Sequence, residues 1–198
     1  MNTLAKTILE HTEGLPEGTP ICAKELLHLG GRAAVDQALS RLVKRGQLMR
    51  VSRGVYVRPI ETRFGKRAPS EARVVESLAQ ITGEAIAPHG AAMANKLGLT
   101  TQVPVRSVYL TSGPNRRLKL GSQVVELRHA PRWQLALGNR PSGEVLRALA
   151  WLGPEKARAA LRMLWHKLPA AELKEIAAAR SILPSWLAEQ VSEAVLNG

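Results

Sequence analysis

Val35, Ala38, Leu39, Leu42 and Val43 recur at the spacing that lines one face of a helix, while Arg32, Asp36, Gln37, Ser40, Arg41, Lys44 and Arg45 fall on the other. Gly46 follows as a stop signal. Leu48 to Val51 and Val55 to Arg58 are then two short β-prone runs joined by Ser52-Arg53-Gly54, where Gly54 can take the positive φ of a tight hairpin. Upstream, Leu4, Ile8 and Leu9 predict a short helix within Thr3 to His11, and the Gly/Pro-rich stretch Glu13 to Gly18 reads as a loop. Thr19 to Cys22 reads as extended, and Ala23 to Leu29 as a helix that turns at Gly30-Gly31. The order helix, strand, helix, turn, helix and hairpin predicts a winged helix-turn-helix over residues 1–62.

Downstream the pattern changes. Pro59 to Pro69 has two prolines, a glycine and three positive charges with little to bury, so residues 63–69 are expected to be a basic linker. Residues 70–198 then predict a mixed domain. Ser70-Glu71 start a helix carrying Val74, Val75 and Leu78 and ending at Gly83, and a second helix, rich in small residues, spans about Pro88 to Leu97. Three β-prone runs, Val105 to Thr111, Arg117 to Leu120 and Gln123 to His129, predict a small antiparallel meander that closes the part 70–139. Residues 140–198 read as a helical bundle, with Pro154, Pro169 and Pro184 each placed to open a helix. The expected fold class is α+β.

Charge sharpens the N-terminal reading. Between Arg41 and Arg67 stand nine Lys or Arg residues and one acid, Glu61, so this stretch holds +8 of the formal +12. Residues 68–198 carry sixteen basic and ten acidic side chains, a far less focused distribution. A basic surface next to a groove-sized helix is the electrostatic footprint of duplex DNA binding, because each neutralised phosphate releases bound counterions. In a winged helix the first turns of the second helix face base edges, which makes Arg32, Asp36, Gln37 and Ser40 the candidates for base contact. Arg41, Lys44, Arg45, Arg50, Arg53 and Arg58 are the candidates for phosphate, with Arg53 at the tip of the wing.

Other chemistry finds little material. Asp36 is the sole Asp, so a metal-dependent nuclease would have to be built from Glu alone; Glu126-Leu127-Arg128 has one half of such a motif, with Arg where a Lys would serve. A DNA-targeted nuclease, or another enzyme carrying a winged-helix module, is therefore the alternative to a non-catalytic regulator. His11, His28, His89, His129 and His166 lack the paired spacing of zinc ligands, and Cys22, the only cysteine, is expected to be a small buried thiol. No catalytic, metal-binding or cofactor-binding residues are expected. The small residues around Gly90 lack the spacing of a phosphate loop and are expected to serve close helix-to-sheet packing. Of the four tryptophans, Trp133, Trp151, Trp165 and Trp186, three sit among leucines at helical spacing, as core residues do. Neither a signal peptide nor a run of eighteen apolar residues is seen, so a cytoplasmic protein without membrane contact is expected.

Several segments resemble a known family. Ala38 to Gly46 and Ser52 to Tyr56 look like the recognition helix and wing of the AbiEi-like antitoxins of type IV, abortive-infection toxin-antitoxin systems. Ala87 to Ala92, Leu97 to Pro104 and Val108 to Thr111 are similar to the segment that follows the winged helix in a compact branch of that family. The resemblance covers roughly residues 20 to 152. It implies a repressor that autoregulates its operon by binding inverted repeats at its own promoter, as a homodimer on DNA, and that serves as antitoxin to a nucleotidyltransferase-like toxin with or without a stable complex. It also implies a role in phage defence.

Overall fold

The computed structural model describes residues 3–197. Its elements are of mixed α and β type, and they divide the chain into two compact units: Met1–Glu84 with Arg116–Glu126, and Ala85–Asn115 with Leu127–Gly198.

In the first unit, helix α1 (Thr3–Glu13) and helix α2 (Arg32–Lys44) share an apolar core. Ala5 and Ile8 from α1 join Val35, Ala38, Leu39 and Leu42 from α2, with Ile21, Leu26, Leu48 and Tyr56 filling in around them. The apolar spacing of α2 is thus used as the sequence suggests. Strand β1 (Ile21–Cys22) leads into a 3-10 turn (Glu25–His28) where a full α-helix is expected from the sequence. Only a few residues separate β1 from Gly30-Gly31, and one short turn is what so brief a segment can close; Leu26 alone anchors it as a fully buried side chain.

Strands β2 (Met49–Ser52) and β3 (Val55–Val57) form the hairpin after α2. They pair antiparallel, and the sheet order is β1-β3-β2. The register shifts between Arg50 and Ser52, a bulge that bends the strand and strengthens its twist. Gly54 takes φ 72° at the turn, the conformation an L side chain resists.

The expected basic linker is instead a second hairpin. β4 (Ile60–Thr62) and β5 (Gly65–Arg67) pair antiparallel around Arg63-Phe64. Helix α3 (Glu71–Thr82) follows, capped by the Ser70 side chain, which accepts from the Arg73 N–H.

The second unit begins with β6 (Ile86–Pro88), so the helix expected from Pro88 starts later, as α4 (Gly90–Lys96). Pro88 ends the strand, where its missing N–H costs the ladder least. β6 pairs antiparallel with β7 (Ser107–Thr111). Val105 lies outside that strand and is 99% exposed. β8 (Arg116–Leu120), which belongs to the first unit, and β9 (Gln123–His129) complete a sheet of order β6-β7-β9-β8. The expected simple meander is therefore corrected: β9 is the neighbour of β7, and β8 takes the edge. The start of β9 belongs to the first unit and its end to the second.

Helices α5 (Arg132–Leu135), α6 (Pro141–Trp165), α7 (Ala170–Ala178) and α8 (Ser185–Asn197) make the C-terminal part. Gly153 breaks the helical path of α6 with φ 77°, and Pro154 opens the continuation. Leu146, Leu149, Leu161, Leu164, Ile176, Leu187 and Val191 form the core between these helices, with Trp133, Trp165 and Trp186 packed partly buried against it. Gly90 packs tightly, as expected, but against a helix: a Cβ there would overlap the Arg147 carbonyl oxygen and lie 2.7 Å from the Trp151 Cβ. Arg147 is buried, its Nη1 donating to the carbonyls of Gln134 and Gly138, and burial pushes its pKa down. Among the described residues, no helix is long and apolar enough to cross a membrane.

Candidate nucleic-acid interface

The face of α2 opposite its buried side is the natural place to begin, because amphipathic spacing forces every polar residue of the helix onto it. Arg32, Asp36, Gln37, Ser40, Arg41, Lys44 and Arg45 are all exposed there, joined by the small side chains Ala33 and Ala34 near the N-terminus. Gly31 provides no side-chain cap, which leaves the first-turn N–H groups for water or for an oxyanion. Arg32 is not free as it stands: its Nε donates to Asp36 Oδ2 at 2.8 Å. Gln37 and Ser40 make no such pairing on the face, and Arg41, Lys44 and Arg45 extend the positive charge to the helix end.

Arg50, Arg53 and Arg58 on the β2–β3 hairpin are also exposed. Arg50 Nε lies 3.4 Å from the Ser52 carbonyl, a long bond that follows the bulge. Arg53 sits at the tip beside Gly54. All ten candidate residues from the sequence therefore lie on the surface of the first unit, on one helix face and one hairpin. Asp36 is the one acid among them.

A further set of exposed side chains lies outside these ten candidates. Arg63, Phe64, Lys66 and Arg67 are exposed on the β4–β5 hairpin. Lys66 Nζ donates to the Gly46 carbonyl at 3.1 Å and lies 3.5 Å from Glu61, so this hairpin is tied to the end of α2. The signal was available in Thr62-Arg63-Phe64-Gly65, a two-residue turn before a glycine, but the prolines on either side obscured it.

Glu126 pairs with Arg117 at 3.7 Å, and Glu84 is held by both Nη atoms of Arg116 at 2.8 Å. Among the described residues, no group of three His, Cys, Asp or Glu side chains is placed to hold a metal ion. Cys22 is half-buried, where full burial is expected from the sequence; burial first, and then the nearby Glu25 carboxylate, push its thiol pKa up. His89 caps α4, its Nδ1 accepting from the Ala91 N–H at 3.2 Å, and burial followed by the charge of Arg128 holds its pKa below the ordinary histidine value.

Residues 7–170 match the model of a family of unknown function, DUF6088. The chain belongs to this family. No curated protein matches it. Among solved structures, the chain is similar to the crystal structure of the RV2827C protein from Mycobacterium tuberculosis, with a TM-score of 0.52 and 14% identity over 98% of this chain and 76% of that one. At that identity the likeness concerns the fold. The family match spans residues of both compact units.

Proposed function

We propose that this member of the family is a DNA-binding transcriptional repressor. The observation that carries the reading is the exposed, predominantly basic face of α2 continued by the Arg53 hairpin, on a unit whose other α2 face is committed to the core. In this reading α1, the 3-10 turn, α2 and the β2–β3 hairpin act as a winged helix-turn-helix. Gln37 and Ser40 read base edges in the major groove, and Arg32 joins them by exchanging its Asp36 partner for a guanine. Arg41, Lys44, Arg45, Arg50, Arg53 and Arg58 neutralise phosphates.

One such module reads too few base pairs to single out a promoter among genomic competitors. Two copies on an inverted repeat are accordingly part of the proposal. The resemblance to AbiEi-like antitoxins supports extending it to autoregulation of a toxin-antitoxin operon and to opposition of a nucleotidyltransferase-like toxin in the cytoplasm. Footprinting of the full chain on the DNA upstream of its own reading frame, with a reporter fused to that promoter, tests the regulatory half. Protection of paired half-sites with repression is expected; full repression with a single protected half-site, or no protection, overturns it. Co-expression with a nucleotidyltransferase-like protein from the adjacent reading frame tests the antitoxin half, with rescue of growth as the expected result and unrelieved toxicity as the contrary one.

A further inference from the structure

The chain contains one phenylalanine, and it stands at the tip of the β4–β5 hairpin with 86% of its surface exposed. An isolated aromatic ring in water at the end of a β-ribbon has an apolar surface left unburied, and its surroundings narrow the choice of what covers it. The tip is tightly built. Thr62 Oγ1 accepts from the Phe64 N–H at 3.2 Å and donates to the Gly65 carbonyl at 2.7 Å, and Gly65 takes φ 105°. Arg63 lies over one face of the ring, 4.6 Å from its centroid, leaving the other face and the edge uncovered by it. Lys66 and Arg67 follow on the same ribbon, and the only acid of the hairpin, Glu61, is next to Lys66. An aromatic tip flanked by cations fits a polyanion with stacked apolar layers inside it, which is the chemistry of duplex DNA.

The Lys66 bond to the Gly46 carbonyl gives the hairpin a place relative to α2. The thirteen residues of α2 extend about 20 Å. A helix that enters a major groove roughly 12 Å wide by its first turns, with its axis inclined across the groove, carries its far end over the flanking backbone and toward the minor groove. We infer that the β4–β5 hairpin is a second DNA-contacting arm, in which Phe64 inserts at a base step of the flanking minor groove while Arg63, Lys66 and Arg67 hold the phosphates beside it. This rests on the proposed DNA binding by α2 and adds local unstacking of the duplex to it.

The test uses the full-length chain and duplexes enriched by the wild-type protein from a random pool, with 2-aminopurine placed in turn at each step flanking the major-groove contacts. Phe64 is solvent-exposed, so Phe64→Ala should melt at the wild-type temperature, and a melt of each variant checks this. The wild type is expected to raise 2-aminopurine fluorescence at one flanking step. Phe64→Ala should abolish that rise and weaken binding by about 5- to 100-fold, the effect of losing one aromatic contact to a base, while guanine N7 methylation interference in the major groove stays in place. Phe64→Leu, which retains an apolar wedge, should keep most of the affinity. Wild-type affinity and unchanged fluorescence in Phe64→Ala would overturn the arm and leave the α2 reading standing. A pool that yields no enriched duplex would remove both.

Discussion

Gly90 is a residue at which packing leaves little room for change. Because a Cβ would overlap the Arg147 backbone carbonyl and crowd Trp151, α4 and α6 must part. Gly90→Ala is expected to cost about 1–3 kcal/mol or more, read as a lower urea midpoint at an unchanged slope; a wild-type midpoint would show that the contact relaxes freely. His89, its neighbour, makes a pH prediction. Its pKa is held below the ordinary value of about 6.5 by burial and by Arg128, so the unfolded chain takes up the proton first as pH falls. Its contribution to stability is therefore complete above about pH 6.5 and is lost as pH falls through the lower folded value. Urea midpoints between pH 8 and pH 5 should decline, and His89→Asn, which keeps a capping side chain without a titrating one, should flatten the decline. An identical profile in the variant would assign the pH dependence to other groups.

At the scale of elements, the β2–β3 hairpin depends on Gly54. A Cβ there meets nothing within 4 Å, so the cost of substitution is conformational alone and follows from φ 72°. Gly54→Ala should destabilise the chain by about 1–2 kcal/mol, and Gly54→Asn by less, because Asn tolerates the left-handed region; equal effects would mean the turn adopts another form. The same elements show what the sequence reveals and why. The bounds of α2 were legible because an apolar period and the glycines around it give concordant signals. The β4–β5 hairpin was not, because both faces of β5 are exposed and no alternation of polar and apolar positions marks it. β6 was hidden by Pro88, which reads as a helix start, and the sheet order β6-β7-β9-β8 depends on non-local pairing that strand spacing does not encode. Of the interface, the cations on α2 and the wing could be identified individually from the sequence. Their common exposure, the Arg32–Asp36 pairing and the exposed Phe64 required the fold.

At the scale of the whole molecule, the two compact units do not follow the boundary the linker composition suggests. α3 and the β8 hairpin group with the N-terminal elements, so a chain cut at Ser70 would divide a compact unit. Point substitutions in the full chain are the sound way to test the proposed DNA contacts separately from the proposed antitoxin activity. The charge distribution makes the proposed DNA binding quantitative, since nine cations stand against one acid between Arg41 and Arg67 and each phosphate contact would contribute about 0.9 to the slope of log affinity against log salt. The decisive measurement is the affinity of the full chain for its upstream duplex across a salt series, compared with Arg53→Ala and with the triple substitution Arg32→Ala, Gln37→Ala and Arg53→Ala. A steep fall with salt is predicted for the wild type, a slope smaller by about one unit for Arg53→Ala, and loss of preference for the upstream duplex over unrelated DNA in the triple variant. Salt-independent binding, or a triple variant that retains wild-type affinity and preference, would contradict the assignment of α2 and the wing as the DNA-reading surface.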